Sequence, residues 1–288
     1  MTEPQLTVVV PTRDRPESLA RCLAALAAQS LSDALEIVVV DDGSTRVREV
    51  AEVVAGVPGA RLLRTGPRGV AAARNAGALA ARTPLVCITD DDCLPRPDWA
   101  ACLRDALADG ADAAAGPTLN GRPGDPLAVA TQTIVGFLTE RSLGPFSSAR
   151  FAPGSNLAAT AATLAAVQFD ERYGPGGEDR DWCARLLATG RSIRWKPDAV
   201  VLHDQELTLS SFLRKHVNWG RGARQLRRSQ PGWAATPPRF HTALVRRGFE
   251  HDLRTGLYVL VAQLATAAGY VDELRREAPA GTSGPRAR

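Results

Sequence analysis

Three consecutive aspartates, Asp90-Asp91-Asp92, follow directly on the apolar run Pro84-Leu85-Val86-Cys87-Ile88-Thr89. A short apolar run bounded by turn residues is the pattern of a buried strand. Open α/β sheets gather their ligands outside the carboxyl ends of such strands. Three carboxylates at a strand exit repel one another unless a cation joins them, and hard divalent cations prefer carboxylate oxygen. Taken alone, the run is equally a solvated turn that caps the next helix. A second acidic set, Glu178-Asp179, follows the chain-turning stretch Tyr173 to Gly177 and opens a helix pattern. Acidic side chains also suit the positive end of a helix dipole, which is the simpler reading of Asp181. Asp41-Asp42 end another apolar run just before Gly43-Ser44, and His203 ends the strand pattern Ala199 to Leu202.

The elements around these residues decide which of them can meet. Leu6 to Val10 is a continuous apolar run followed by the turn Pro11 to Glu17. Asp14 is expected to cap the next helix, with Glu17 as its capping-box partner. In that helix Leu19, Cys22, Leu23 and Leu26 follow i, i+3, i+4, i+7 spacing. Glu36 to Val40 and Arg61 to Arg64 read as strands, and Gly69 to Ala81 as an Ala-rich helix. This alternation predicts an α/β fold, a mainly parallel sheet covered on both faces. Pro11-Thr12-Arg13, Asp41-Asp42 and the aspartate run then share one sheet edge. A backbone turn beside an acidic side chain suits a nucleobase and ribose, and arginines suit phosphates. No GxGxxG follows the first strand and no GxxxxGK[ST] occurs anywhere, which argues against a dinucleotide or P-loop site. Any phosphate must be neutralised another way, and a cation on the aspartates does it.

Residues 117–150 are rich in Pro and Gly, with one helix pattern near Leu127 to Glu140. From Leu209 the chain reads as helical and basic through 274, and residues 275–288 as a disordered tail. The 35 Lys and Arg against 31 Asp and Glu give a net charge of only +4, which does not suggest a general nucleic-acid binder. Five cysteines without CxxC spacing read as reduced thiols. Met1-Thr2-Glu3-Pro4 lacks a basic region followed by an apolar one, so a cytoplasmic location is expected. The apolar stretch Leu253 to Leu274 is broad for an exposed helix; it packs on the domain, forms a homodimer, or lies on the inner face of a membrane.

Five segments in order resemble a known family: Val8-Val9-Val10-Pro11-Thr12-Arg13-Asp14-Arg15, Val38-Val39-Val40-Asp41-Asp42-Gly43-Ser44, Ala73-Arg74-Asn75-Ala76-Gly77, Thr89-Asp90-Asp91-Asp92 and Gly177-Glu178-Asp179. Together they look like family 2 of the inverting nucleotide-sugar glycosyltransferases, over roughly residues 5–225. The resemblance implies a GT-A fold (Rossmann-like, helices on both faces of the sheet) at 1–208, with a C-terminal helical extension. Within it, 1–116 would be the nucleotide-binding half and 117–208 the acceptor half. Pro11, Thr12, Arg13 and Asp41 would contact the nucleoside. Asp90 would be the first carboxylate of the family's DxD motif, near the ribose; Asp91 the intervening residue at the donor; and Asp92 the ligand of Mg²⁺ or Mn²⁺. A nucleoside diphosphate leaves well only if its charge is neutralised, which a metal does as a Lewis acid. Asp179 would be the general base, and Glu178 would orient neighbours or touch the acceptor. One carboxylate suffices for single displacement, whereas retention wants a second, nucleophilic one.

The same resemblance implies a metal or diphosphate role for His203, a donor contact for Arg74 and an acceptor contact for Asn156. Arg221 or Arg224, in a Gly-containing basic segment, would close over the diphosphate. That segment departs from the Gln-x-x-Arg-Trp signature of processive relatives such as cellulose and hyaluronan synthases. The expected partners are a nucleoside-diphosphate sugar and a hydroxyl acceptor: a glycan, a lipid-linked molecule or a small molecule. The rivals are a nucleotidyltransferase, which usually wants a Gly-rich Lys/Arg loop after the first strand, and a silent nucleotide-sugar-binding protein.

Overall fold

The computed structural model describes residues 4–145, 147–174, 176–230 and 237–277. Strands β1 (Leu6–Thr12), β2 (Leu35–Asp42), β3 (Ala60–Thr65) and β4 (Leu85–Ile88) alternate with helices α1 (Pro16–Ala27), α2 (Val47–Ala55) and α3 (Val70–Ala80). β1 and β2 are buried along their whole length, which is why they read as Val/Leu/Ile-rich runs, broken only by Thr7 and Glu36 before their polar ends. Then come β5 (Cys93–Pro95), α4 (Trp99–Ala108), β6 (Ala113–Ala115), β7 (Thr118–Asn120), α5 (Pro126–Glu140), β8 (Ser148–Ala149), β9 (Leu157–Thr160) and α6 (Ala161–Ala166). After these come α7 (Glu178–Ala188), β10 (Ile193–Trp195), β11 (Val201–His203), α8 (Leu209–Ser229), α9 (Pro238–His251) and α10 (Leu253–Glu277).

An eight-stranded sheet runs β3-β2-β1-β4-β9-β6-β10-β8. β1 is parallel to both β2 and β4, with Thr12 opposite Asp41 and Val9 opposite Ile88. The turns carrying Pro11 to Arg13, Asp41-Asp42 and the aspartate run therefore leave the same edge. β9 lies antiparallel between β4 and β6, a reversal that its short Ala-rich sequence does not announce. A second sheet, β5-β11-β7, pairs His203 with Cys93 and so sets the histidine beside the aspartates.

Side chains of α1, α2 and α4 cover one sheet face, including Leu19, Leu23, Val50, Trp99 and Leu103. Ala71 and Ala73 of α3, with Leu164, Phe169, Trp182 and Leu186, cover the other. The helix α3 approaches β1 so closely that a Cβ on Gly77 would sit 2.2 Å from Val9 Cγ1. A third apolar cluster joins α5 to α8, α9 and α10 through Ile134, Phe137, Phe212, Leu244 and Val259. α8 and α10 touch backbone to backbone, since a Cβ on Gly220 would lie 1.9 Å from Thr266 O.

Two expectations change. Asp14 does not cap α1; it takes φ 55° and accepts the N–H groups of Thr45 and Arg46 at 2.6 and 3.0 Å. It thus ties the β1 turn to the start of α2, and Glu17 pairs with Arg46 instead. Arg275 to Glu277 are the last turn of α10 rather than tail, while 278–288 lie outside the described residues. No helix among the described residues is long and apolar enough to cross a membrane.

Candidate active site

A cavity of about 1330 Å³ opens at this sheet edge. Pro11, Thr12, Arg13, Asp42, Arg74, Asp90, Glu178, Asp179 and His203 all line it. The three aspartates point three ways. Asp91 is fully buried, accepts the Thr12 hydroxyl at 2.7 Å and pairs with Arg15. Burial pushes its carboxyl above the usual range, against the pull of Arg15. Both Asp91 oxygens are thus taken, by Thr12 and Arg15, so the residue holds the β1 turn in place rather than facing a donor as expected. Asp90 faces the cavity and accepts from Arg74 at 2.9 Å. Asp92 lies 3.2 Å from His203 Nε2 and accepts from Arg15 at 2.9 Å. Burial works against its charge, yet His203 and Arg15 hold it well below the usual carboxylate range.

Arg74 joins the two acidic sets. It is 3% exposed and donates to Asp90 and, at 2.7 Å, to Glu178. Its closeness to the backbone requires Gly154, where a Cβ would stand 2.6 Å from the guanidinium. Arg74 thus lines the cavity while committed to carboxylates on both sides, which pre-orients them.

The second acidic set sits on the first turn of α7, entered through Gly176 and Gly177 with φ of 121° and 102°. Only glycine adopts such values without strain. Their lack of side chains also lets α8 press in, because a Cβ on Gly176 would be 2.7 Å from Trp219 Cδ1 and one on Gly177 3.0 Å from Gly222 Cα. Asp179 accepts from the Gly154 and Arg180 N–H groups at 3.3 and 2.8 Å. Burial, helped by the Glu178 charge, pushes its pKa up to about 6, opposed by Arg74 and the two backbone donors. Glu178 is turned the other way, onto Arg74 and the Gly176 N–H at 3.2 Å, and is 6% exposed.

The donor set beside Asp92 suits a hard cation. Asp92, Cys93 and His203 place ligand atoms within 4.8 Å of one another. Burial keeps the Cys93 thiol protonated, which leaves a carboxylate oxygen and an imidazole nitrogen. Gln132 donates its amide to Thr118 O, so its Oε1 faces His203 Nδ1 at 3.4 Å. Nδ1 thus donates to Gln132, and Nε2, 3.2 Å from Asp92 Oδ1, is left to carry a proton or to offer its lone pair to a metal ion. A lone pair facing a carboxylate oxygen is repulsive unless a proton or a metal ion lies between them.

Other expected residues land elsewhere. Asn156 is fully buried; its amide donates to Pro117 O and Ala199 O at 3.0 and 2.8 Å and its carbonyl accepts Trp99 Nε1 at 2.8 Å. It pins β9 to its neighbours and cannot reach an acceptor. Asn156→Ala should cost about 3 kcal/mol of unfolding free energy in a urea titration, by orphaning buried polar groups, with donor affinity unchanged. Arg221 pairs with Asp272 at 2.7 Å and Arg224 with Glu277 at 3.0 Å. These α10 acids draw both arginines away from the cavity, where Arg214, Lys215 and Arg227 stand instead. Asp41 is fully buried, accepts the Ser44 N–H at 2.8 Å and leaves Oδ2 without a hydrogen bond, 3.6 Å from Arg64. Asp42 lines the cavity and takes the Arg68 and Gly69 N–H groups at the start of α3. Arg15, Lys215 and the Gly154 N–H were not assigned from sequence. Each adjoins a residue already singled out: Arg15 lies in the Pro11 to Glu17 turn, Lys215 in the basic segment with Arg221 and Arg224, and Gly154 two residues before Asn156.

The pre-mycofactocin glycosyltransferase of Mycobacterium tuberculosis (strains CDC 1551 / Oshkosh and ATCC 25618 / H37Rv) is 28% identical over 228 residues, covering 77% of this chain and 47% of the relative. The chain thus spans about half the length of the curated relatives it matches. Among solved structures, the mannosyltransferase PcManGT from Pyrobaculum calidifontis, in complex with GDP-Man and Mn2+, shares the fold. It aligns with a TM-score of 0.61 at 21% identity, over 94% of this chain and 76% of that one. The family model "Glycosyl transferase family 2" matches residues 7–171, more than half of the chain, and the protein belongs to that family.

Proposed function

We propose that this protein moves a sugar from a nucleoside diphosphate to an acceptor hydroxyl by single displacement with inversion, Asp179 serving as general base. The observation that carries the reading is Asp179 itself. It is a partly exposed carboxylate with a raised pKa, on the wall of the cavity reached by the ends of β1 and β4. A base poised near neutral pH is suited to taking a hydroxyl proton. Glu178 is committed to Arg74, so among the described residues no second free carboxylate stands beside Asp179 to act as the nucleophile that retention needs.

The donor lies along the Pro11 turn. Asp41 Oδ2 is an acceptor in want of an N–H, which a nucleobase supplies once the Arg64 side chain, 54% exposed, swings aside. Asp90 faces the ribose, and Arg13 and Lys215 face the phosphates. Asp92 and His203 would hold a divalent cation, which when bound neutralises charge on the leaving diphosphate. An imidazole nitrogen in the set suits Mn²⁺ better than Mg²⁺, and Mn2+ is the ion in the structural relative.

Thermal shift against GDP-mannose, UDP-glucose and dTDP-glucose with Mn²⁺ identifies the donor, since a ligand of the native state raises its melting point. Proton NMR of the sugar slowly released to water from that donor then tests the chemistry: the first anomer to appear is expected to be inverted. A retained first anomer overturns the mechanism, and pyrophosphate release from a nucleoside triphosphate overturns the reaction class.

A further inference from the structure

Leu253, Leu257, Leu260, Leu264, Val271 and Leu274 of α10 are exposed, Leu253 by 68% and Leu264 by 63%. With Ala267 they form one seam of alternating steps of four and three residues. The opposite face of α10 is buried through Gly256, Val259, Ala262, Ala265 and Gly269. Packing on the domain therefore accounts for half of the helix, and the seam is left over. Phe249 of α9, 42% exposed, adds to the apolar surface. Contiguous exposed apolar surface marks a partner. Leu260, Leu264, Ala267 and Val271 also line the cavity that holds Asp179, so the covering of the seam decides what the cavity opens onto.

Charge selects the partner. From Leu209 to Glu277 the chain carries twelve Arg and Lys against five Asp and Glu. Arg214, Arg227, Arg239, Arg254 and Arg275 are exposed and form no ion pair with any described residue. Arg214 and Arg227 line the cavity, while Arg254 and Arg275 flank the two ends of the seam. A second copy of the helix fits less well. The positions beside the middle of the seam are Val261, Gln263, Ala268 and Tyr270, which lack the opposite charges that pair coiled coils.

We propose that the seam of α10 and its arginines dock on an anionic lipid bilayer, with the helix lying in the interface. An apolar strip set among cations is the composition that binds there. The apolar end of the cavity then opens at the lipid. The docking itself does not depend on the glycosyltransferase mechanism proposed above, although its bearing on the acceptor rests on that reading.

Flotation with two vesicle types tests it: phosphatidylcholine alone, and phosphatidylcholine mixed with phosphatidylglycerol. The protein is expected to float with the mixed vesicles, at least tenfold better than with phosphatidylcholine, and less well at high salt. Leu253→Glu/Leu257→Glu changes side chains outside the cavity lining and should lower vesicle binding about 100-fold. The same variant should keep the wild-type thermal shift with GDP and Mn²⁺, which shows that it is folded. Failure of the wild-type protein to float with either vesicle overturns the proposal. So does a dimer in sedimentation velocity that the double variant dissolves, because the seam then belongs to a second copy. A glycosyltransferase reading that is wrong shows itself separately, as absence of any nucleoside-diphosphate shift.

Discussion

Asp179→Asn is expected to bind the donor as the wild-type protein does and to lose transfer by about 1000-fold, roughly 4 kcal/mol in the barrier. Asparagine has nearly the same shape and can still accept one of the two backbone hydrogen bonds, from Gly154 or Arg180, that hold the side chain. It cannot take a proton. No hydrogen bond links Asp179 to Thr12, Arg13 or Asp90 among the described residues, so the donor end should be undisturbed. The pH dependence follows from the same carboxyl. Only the deprotonated form is a base, so wild-type kcat/KM should fall as pH drops through about 6, where burial and Glu178 place its pKa. An unperturbed aspartate would put that limb near 4. The residual activity of Asp179→Asn should lack the limb. Stability moves the opposite way. A carboxyl whose folded pKa is raised stabilises the native state below its unfolded pKa and loses that contribution as pH rises through the folded value. The variant, neutral throughout, should therefore melt higher than wild type at pH 8. Near-normal turnover of Asp179→Asn would show that another group is the base.

What sequence patterning could and could not disclose follows from the range of the forces involved. β1, β2 and β4 are buried on both faces, so their apolar runs are long and their carboxyl ends are readable. Residues at those ends, Thr12, Arg13 and Asp90, come together because parallel pairing leaves them no other edge. Side-chain direction is not local information. Asp90, Asp91 and Asp92 are chemically identical in sequence, yet Thr12 and Arg15 draw Asp91 inward while Arg74 and His203 hold the other two. Asn156 looks like a loop residue until Trp99, 57 positions away, donates to it. On α8, Arg221 and Arg224 face α10 rather than the cavity because Gly220 seats that helix against Thr266. The rotation of α8 about its axis is set by a backbone contact with a helix some forty residues later, and no spacing rule within α8 contains it.

Asp92→Ala should abolish the dependence of donor binding on Mn²⁺. In the wild-type protein, Mn²⁺ is expected to tighten nucleoside-diphosphate binding, and a ligand at 100 times its Kd adds about 2.7 kcal/mol of stability. In the variant His203 Nε2 faces no carboxylate and Arg15 keeps only Asp91, so one imidazole remains from the pair that suits the ion. The melting point with GDP should then be the same with and without Mn²⁺, and transfer should fall at least 1000-fold, the scale on which charge stabilisation of a leaving group contributes. Removing Asp92 also removes a buried charge that offsets Arg15, so a lower melting point without ligand is expected in any case and does not bear on the metal. The comparison that decides is the ligand-induced increment, measured against Asp91→Asn. Asp91 faces Thr12 and Arg15 rather than the cavity, and its variant should melt lower yet keep the Mn²⁺ increment. If Asp92→Ala keeps that increment and Asp91→Asn loses it, the cation sits on the buried carboxylate, and the division of labour among the three aspartates is the reverse of the one their directions imply.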